Sequence, residues 1–214
     1  LIIIETAQDI LEVKAAVFGA REAFGLENRR LPIQCSVSLL PNGGKMLLGT
    51  DISAVLATLE ALEVDVIGLN CSTGPEDMRD AIRFLGEFCP VPVHCLPNAG
   101  LPLQGRGGET IFPEEPGPLA EVLGTFVERY GVSIVGGCCG TSPDHLQAVV
   151  DAVSGLSPAA RRPDWEPGCA SIYSHVPYDQ APSVLVVGER TNANGSKKFR
   201  EAMLVDDWDT CVAM

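Results

Sequence analysis

"VDVIGLNCSTGPEDMRDAIRFLGEF", Val64 to Phe88, contains one complete strand–helix unit. Val64–Asn70 is a short apolar run of strand type, and the segment from Pro75 to Phe88 places its apolar residues at helical spacing. Working outward, the same pair recurs. "LIIIE" (Leu1–Glu5) precedes "DILEVKAAVFGAREAFGL" (Asp9–Leu26), with Asp9 as the expected N-cap. "LPIQCSVSLL" (Leu31–Leu40) precedes "DISAVLATLEALE" (Asp51–Glu63). "VPVHCLP" (Val91–Pro97) leads through a long Gly/Pro-rich loop to "PLAEVLGTFVERY" (Pro118–Tyr130), and "VSIVGG" (Val132–Gly137) precedes "PDHLQAVVDAV" (Pro143–Val153). The helices read as amphipathic and the strands as apolar on both faces, the pattern of parallel strands between an inner core and outer helices. Five consecutive βα units predict a (β/α)8 barrel or a doubly wound sheet.

Composition sets the limits. The 214 residues carry 46% hydrophobic and 20% charged side chains, enough for a sizeable core. A formal net charge of -13, with no basic stripe, argues against nucleic acid and anionic lipid as partners. No apolar run approaches the roughly 18 residues of a membrane span, and no basic segment precedes the first apolar run, so a cytoplasmic location is expected. Both ends read as interrupted, Leu1 inside a strand and Met214 inside a helix, so a fragment is expected. Residues 1–154 are assigned to the first domain. From 155 to 182 the composition turns to Pro, Ala, Arg, Tyr and Ser without periodicity, which reads as a linker or a strap over that domain. A new strand–loop–helix unit, "SVLVVGERTNANGSKKFREAM", opens at 183 and runs toward residue 214.

Cysteine placement points to chemistry. Cys71 follows Asn70 at the C-terminal end of the third strand, and Cys138 and Cys139 lie beyond the fifth, where βα loops converge in parallel α/β folds. Gly136, Gly137 and Gly140 give the backbone around the pair its freedom. Three thiolates suit Zn²⁺ with one open position. Such a site carries a net charge near -1 and suits a substrate thiol better than water, because a free thiol with a pKa of roughly 8.5 is mostly protonated at neutral pH. Core packing, a vicinal disulfide acting as a redox switch, or a structural zinc site are the alternatives from spacing alone. Cys35, Cys89, Cys95, Cys169 and Cys211 read as packing residues or weakly exposed thiols. His94, His145 and His175 are solitary: a strand residue, a first-turn helix residue and a linker residue. Asn70 reads equally as a cap, and Glu5 as a surface carboxylate at a strand tip.

"GLNCSTGPEDM" and "IVGGCCGTSPDHL", with "PNAGLP" (Pro97–Pro102) between them, resemble the zinc-binding signatures of the homocysteine S-methyltransferase family. "VVGERTNANGSKKF" is similar to the opening of the pterin-binding domain in the cobalamin-dependent methionine synthase branch, which betaine-dependent and S-methylmethionine-dependent members lack. The resemblance implies a (β/α)8 barrel of which the visible strands are the fourth to eighth, followed by the first βα unit of a second barrel. It implies Cys71, Cys138 and Cys139 as zinc ligands, Glu5 as the carboxylate for the ammonium group of homocysteine, and Asn70 beside the metal in the substrate pocket. Glu189 and Asn192 would belong to an incomplete pterin site. The implied activity is transfer of a methyl group from methylcobalamin to homocysteine. The methyl group would come originally from 5-methyltetrahydrofolate, and a separate cobalamin-binding domain would be the partner. Members using another donor remain the alternative. A fragment of such a barrel is expected to be inactive alone.

Overall fold

In a computed structural model, described for residues 1–41, 43–182, 184–185 and 192–214, the apolar runs become parallel strands. β1 (Ile2–Ala7) leads to α1 (Ile10–Leu26), β2 (Ile33–Val37) to α2 (Ile52–Ala61), and β3 (Val66–Asn70) to α3 (Arg79–Phe88). β4 (Val93–Leu96) is followed by a small antiparallel hairpin, β5 (Leu103–Gln104) with β6 (Thr110–Ile111), and then by α4 (Pro116–Tyr130). β7 (Ile134–Val135) leads to α5 (Pro143–Val153). The main sheet has the order β1-β2-β3-β4-β7, all parallel, so each helix connects neighbouring strands. Helix boundaries follow local chemistry. Asp9, Asp51 and Ser142 cap α1, α2 and α5 through their side chains, and Gly131, at φ 67, ends α4 in the left-handed conformation.

The two faces of the sheet differ in kind. Register puts Ile4, Cys35, Ile67 and Val93 in one row and Val37, Leu69, Cys95 and Val135 in the next. These rows join Val17, Leu56, Leu59, Ile82, Leu85, Leu123 and Phe126 of the helices in one buried cluster, with Ile4 and Val135 partly buried against it. The opposite face carries Gln34, the row Ser36–Gly68–His94, and Asn70. All four polar side chains on it are buried. Ile3, Val66, Leu96 and Ile134 share this side, so it is mixed; the expectation of strands apolar on both faces holds for the helix-facing side and is corrected on the other, where four polar residues intervene. The polar side is tolerated because its groups satisfy one another. His94 Nε2–H donates to the Cys35 carbonyl at 3.2 Å, and Nδ1 faces the Gln34 amide at 3.5 Å. Burial pushes the His94 pKa down to about 4, so the ring is neutral at pH 7.

Two compact units divide the chain, Leu1–Pro177 and Tyr178–Met214. Residues 155–177 thus fold with the first unit. The Arg161 guanidinium donates to the carbonyls of Leu85, Cys89 and Val91 at 3.3, 2.8 and 2.7 Å, just where α3 ends. Trp165 stands edge-on to Phe84 and Phe88, and the hairpin of β8 (Gly168–Ala170) and β9 (His175–Pro177) follows. In the second unit, Ser196 caps α6 (Lys197–Leu204) and Asp207 caps α7 (Trp208–Val212). The strand and Gly-containing loop expected at the start of this unit, from residue 183, fall mostly outside the described residues. Among the described residues no helix is long and apolar enough to cross a membrane.

Candidate metal centre

Cys71, Cys138 and Cys139 meet. Their sulfurs all lie within 4.8 Å of one another, with 3.7 Å between Cys71 and Cys139 and 3.9 Å between Cys138 and Cys139. Four ligands in a tetrahedron around zinc at about 2.3 Å stand roughly 3.8 Å apart, so the two edges to Cys139 fit such an ion. Among the described residues, the cluster contains no fourth His, Cys, Asp or Glu.

Backbone hydrogen bonds explain how residues so far apart in sequence converge. The segment after β4 stitches the two cysteine loops together. Cys71 N–H donates to Leu96 O at 3.1 Å, and Asn98 N–H to Thr73 O at 2.9 Å. On the other side, Cys138 N–H donates to Pro97 O at 2.7 Å and Ala99 N–H to Cys139 O at 2.9 Å. The Asn98 side-chain oxygen accepts from Cys139 N–H at 3.0 Å. Asn98 is a site residue that the cysteine pattern did not single out; its place inside "PNAGLP" was the available signal. Cys71 and Ser72 take left-handed backbone angles, φ 62 and 69, uncommon for residues with a side chain. Gly140, at φ 78, leaves no room for a Cβ beside Phe112. Behind the pair, Ser142 and His145 form a capping box, and His145 Nε2–H donates to Glu114 O at 2.9 Å, anchoring the loop before α4.

Electrostatics favour a cation. Burial raises the pKa of Cys138, and the neighbouring Cys71 thiol raises it further. Cys139 is pushed up to about 11 by partial desolvation and by hydrogen bonding with Cys71. The Cys138 and Cys139 thiols therefore resist ionisation unless a positive charge joins them.

Of the other expected site residues, only Asn70 reaches the cluster. Glu5 is exposed on β1. Asn70 is fully buried, and its amide points to Cys138 Sγ at 3.8 Å. Glu189 lies outside the described residues, and Asn192 is exposed in the second unit. Cys35, Cys89 and Cys95 are buried and His94 binds within the sheet, away from the cluster.

The sequence model of the family described as homocysteine S-methyltransferase matches residues 1–153. The chain belongs to the homocysteine S-methyltransferase family. Methionine synthases of Mycobacterium leprae and Mycobacterium tuberculosis are 47% and 46% identical to it over 216 and 211 aligned residues. Each match takes in 99% of the chain and 18% of the relative, so the chain spans about a fifth of their length. A homocysteine methyltransferase of Escherichia coli, solved in its apo form, shares the fold of this chain. Its TM-score is 0.53 at 24% identity, over 71% of this chain and 49% of that one.

Proposed function

We propose that the chain is the thiol-activating part of a methionine synthase, with Cys71, Cys138 and Cys139 holding zinc. The reaction is transfer of a methyl group to the sulfur of homocysteine, giving methionine, with methylcobalamin as the immediate donor and 5-methyltetrahydrofolate as the original one. The observation that carries this reading is the meeting of three sulfurs within 4.8 Å, two of their separations at 3.7 and 3.9 Å near a tetrahedral edge, with no fourth His, Cys, Asp or Glu in the cluster among the described residues. Bound zinc supplies the positive charge that makes an incoming thiol release its proton near neutral pH. The chain's own part is to fix three sulfurs, leave one position open, and orient the substrate. Glu5, exposed toward the C-terminal end of β1, is the proposed partner of the substrate ammonium group.

The identity extends beyond residue 153, through the segment that follows the family match, which supports the cobalamin-dependent type over members using betaine or S-methylmethionine. A cobalamin-binding domain and a pterin-binding domain begun by residues 183–214 then complete the protein. We also read the five parallel strands as the fourth to eighth of a (β/α)8 barrel. Ile3 and Ile134, on the polar side of the two edge strands, are 54% and 38% exposed, which suits cover by further strands. The 214-residue chain alone is not expected to turn over. Thiols used for packing and metal binding fit a reducing, cytoplasmic setting.

The test is zinc content and zinc-edge X-ray absorption on a chain extended to the length of its mycobacterial relatives. Three sulfurs plus one light atom, becoming four sulfurs with homocysteine, is the expected result. Four sulfurs before substrate would instead mean a structural site, and absence of zinc would sink the metal reading.

A further inference from the structure

Asn70 uses its whole hydrogen-bonding capacity inside the protein. Its Oδ1 accepts from Thr6 N–H and from Ser36 Oγ, each at 2.8 Å. Its Nδ2 donates to Thr6 Oγ1 at 2.7 Å and reaches Cys138 Sγ at 3.8 Å. An amide has two lone pairs and two donor hydrogens, so nothing remains for a ligand, and the side chain is 0% exposed. Ser38 Oγ fixes the same residue from the backbone side by donating to Asn70 O at 2.8 Å.

Thr6 can offer both its N–H and its hydroxyl because β1 departs from regular pairing there. The register with β2 shifts between Ile4 and Ala7, and Thr6 takes φ 58. A threonine in that conformation is strained, and such strain persists where surrounding contacts enforce it. Two bonds to one buried amide are such contacts. The residue before Thr6 is Glu5.

We infer that Asn70 is a positioning residue that ties the bulge of β1 to the sulfur of Cys138, and not a group that contacts substrate. The amide holds Cys138 Sγ in the triangle and draws charge from it, while its other hydrogen and its oxygen hold Thr6 and, through it, the backbone bearing Glu5. This rests on the metal-site reading for its consequence at the metal, but the positioning of Cys138 stands without any ion. Partners that orient metal ligands in this way commonly change metal affinity by about 10- to 100-fold.

The test uses the chain extended to the length of its mycobacterial relatives, with Asn70→Asp, which keeps the shape but loses both donors, and Ser36→Ala, which touches no sulfur. With Co²⁺ as probe, titration should give a thiolate-to-cobalt absorption band. Asn70→Asp should shift that band and weaken Co²⁺ at least tenfold, and Ser36→Ala should move both the same way by less. A separate arm needs no metal. Diamide takes two protons and two electrons from a pair of thiols, and mass spectrometry maps the disulfide formed. The original chain should give mainly Cys71–Cys139, and Asn70→Asp should raise the share of disulfides containing Cys138 severalfold. A folded Asn70→Asp chain with unchanged disulfide shares overturns the inference, as does an unchanged cobalt band and affinity. If the original chain binds no Co²⁺, the metal reading falls and the disulfide shares alone decide the role of Asn70.

Discussion

The imidazole of His94 lies across Gly68, its neighbour in register on β3, so closely that a Cβ on Gly68 would collide with both the ring and the His94 carbonyl. Ring and backbone are both fixed, the one by its bonds to Cys35 and Gln34 and the other by the sheet. Gly68→Ala should therefore cost about 3 kcal/mol, the upper end for overpacking. Gly19→Ala, at an exposed position of α1 with open space around it, should gain roughly 0.5–1 kcal/mol. Urea denaturation of the two variants checks the contrast, and equal midpoints would contradict it.

Acid should weaken the fold through the same ring. The His94 pKa is lowered from 6.5 to about 4, with burial as the main cause. The unfolded chain therefore takes the proton first as pH falls. Stability from this residue is complete above pH 6.5 and is lost progressively toward pH 4, by roughly 3 kcal/mol. His94→Gln should flatten the stability–pH curve between 6.5 and 4 by about that amount. Parallel curves for the two chains would show that His94 is not the titrating group.

Substitution of cysteines should separate two classes. On the proposed zinc reading, Cys71→Ala, Cys138→Ala and Cys139→Ala should each abolish metal binding. Cys35→Ala should leave zinc in place and cost about 1–2 kcal/mol for the buried volume removed. The Cys35 thiol, pushed up to about 12 by burial, should also resist iodoacetamide at pH 8. Metal analysis beside mass-spectrometric labelling reads both effects.

Arg161 should matter more than its place in an aperiodic segment suggests. Its three carbonyl partners lie at the end of α3, and Arg161→Ala leaves them without that donor, at a cost of about 2 kcal/mol. Arg161→Lys should restore only part, because an ammonium cannot span the carbonyls as a planar guanidinium does. Limited proteolysis should then cut within 155–177 earlier in the alanine variant than in the original chain.

The alternation of strands and helices was legible because each helix carries an apolar stripe and each strand a β-branched run. The convergence of Cys71 with Cys138 and Cys139 was legible because strand ends on one rim of a parallel sheet must face one another. The polar side of the sheet was not. Ser36 and His94 sit singly between apolar neighbours, and in strands of four or five residues a few polar positions do not establish a face. The hairpins of β5 with β6 and β8 with β9 were missed because two or three residues carry no measurable period. Arg161 was hidden for a different reason: its partners are backbone carbonyls, which every sequence contains and no sequence marks.

The polar side of the sheet also acts as an address check. A parallel strand that slides by two residues keeps its apolar side chains toward the helices, so the hydrophobic pattern alone tolerates the error. Ser36 and Asn70, however, can meet only in the native alignment of β2 with β3, and His94 can rest only where Gly68 leaves it space. A misaligned strand would bury these groups without partners, so the side of the sheet that carries its polar residues is the one that proofreads its assembly.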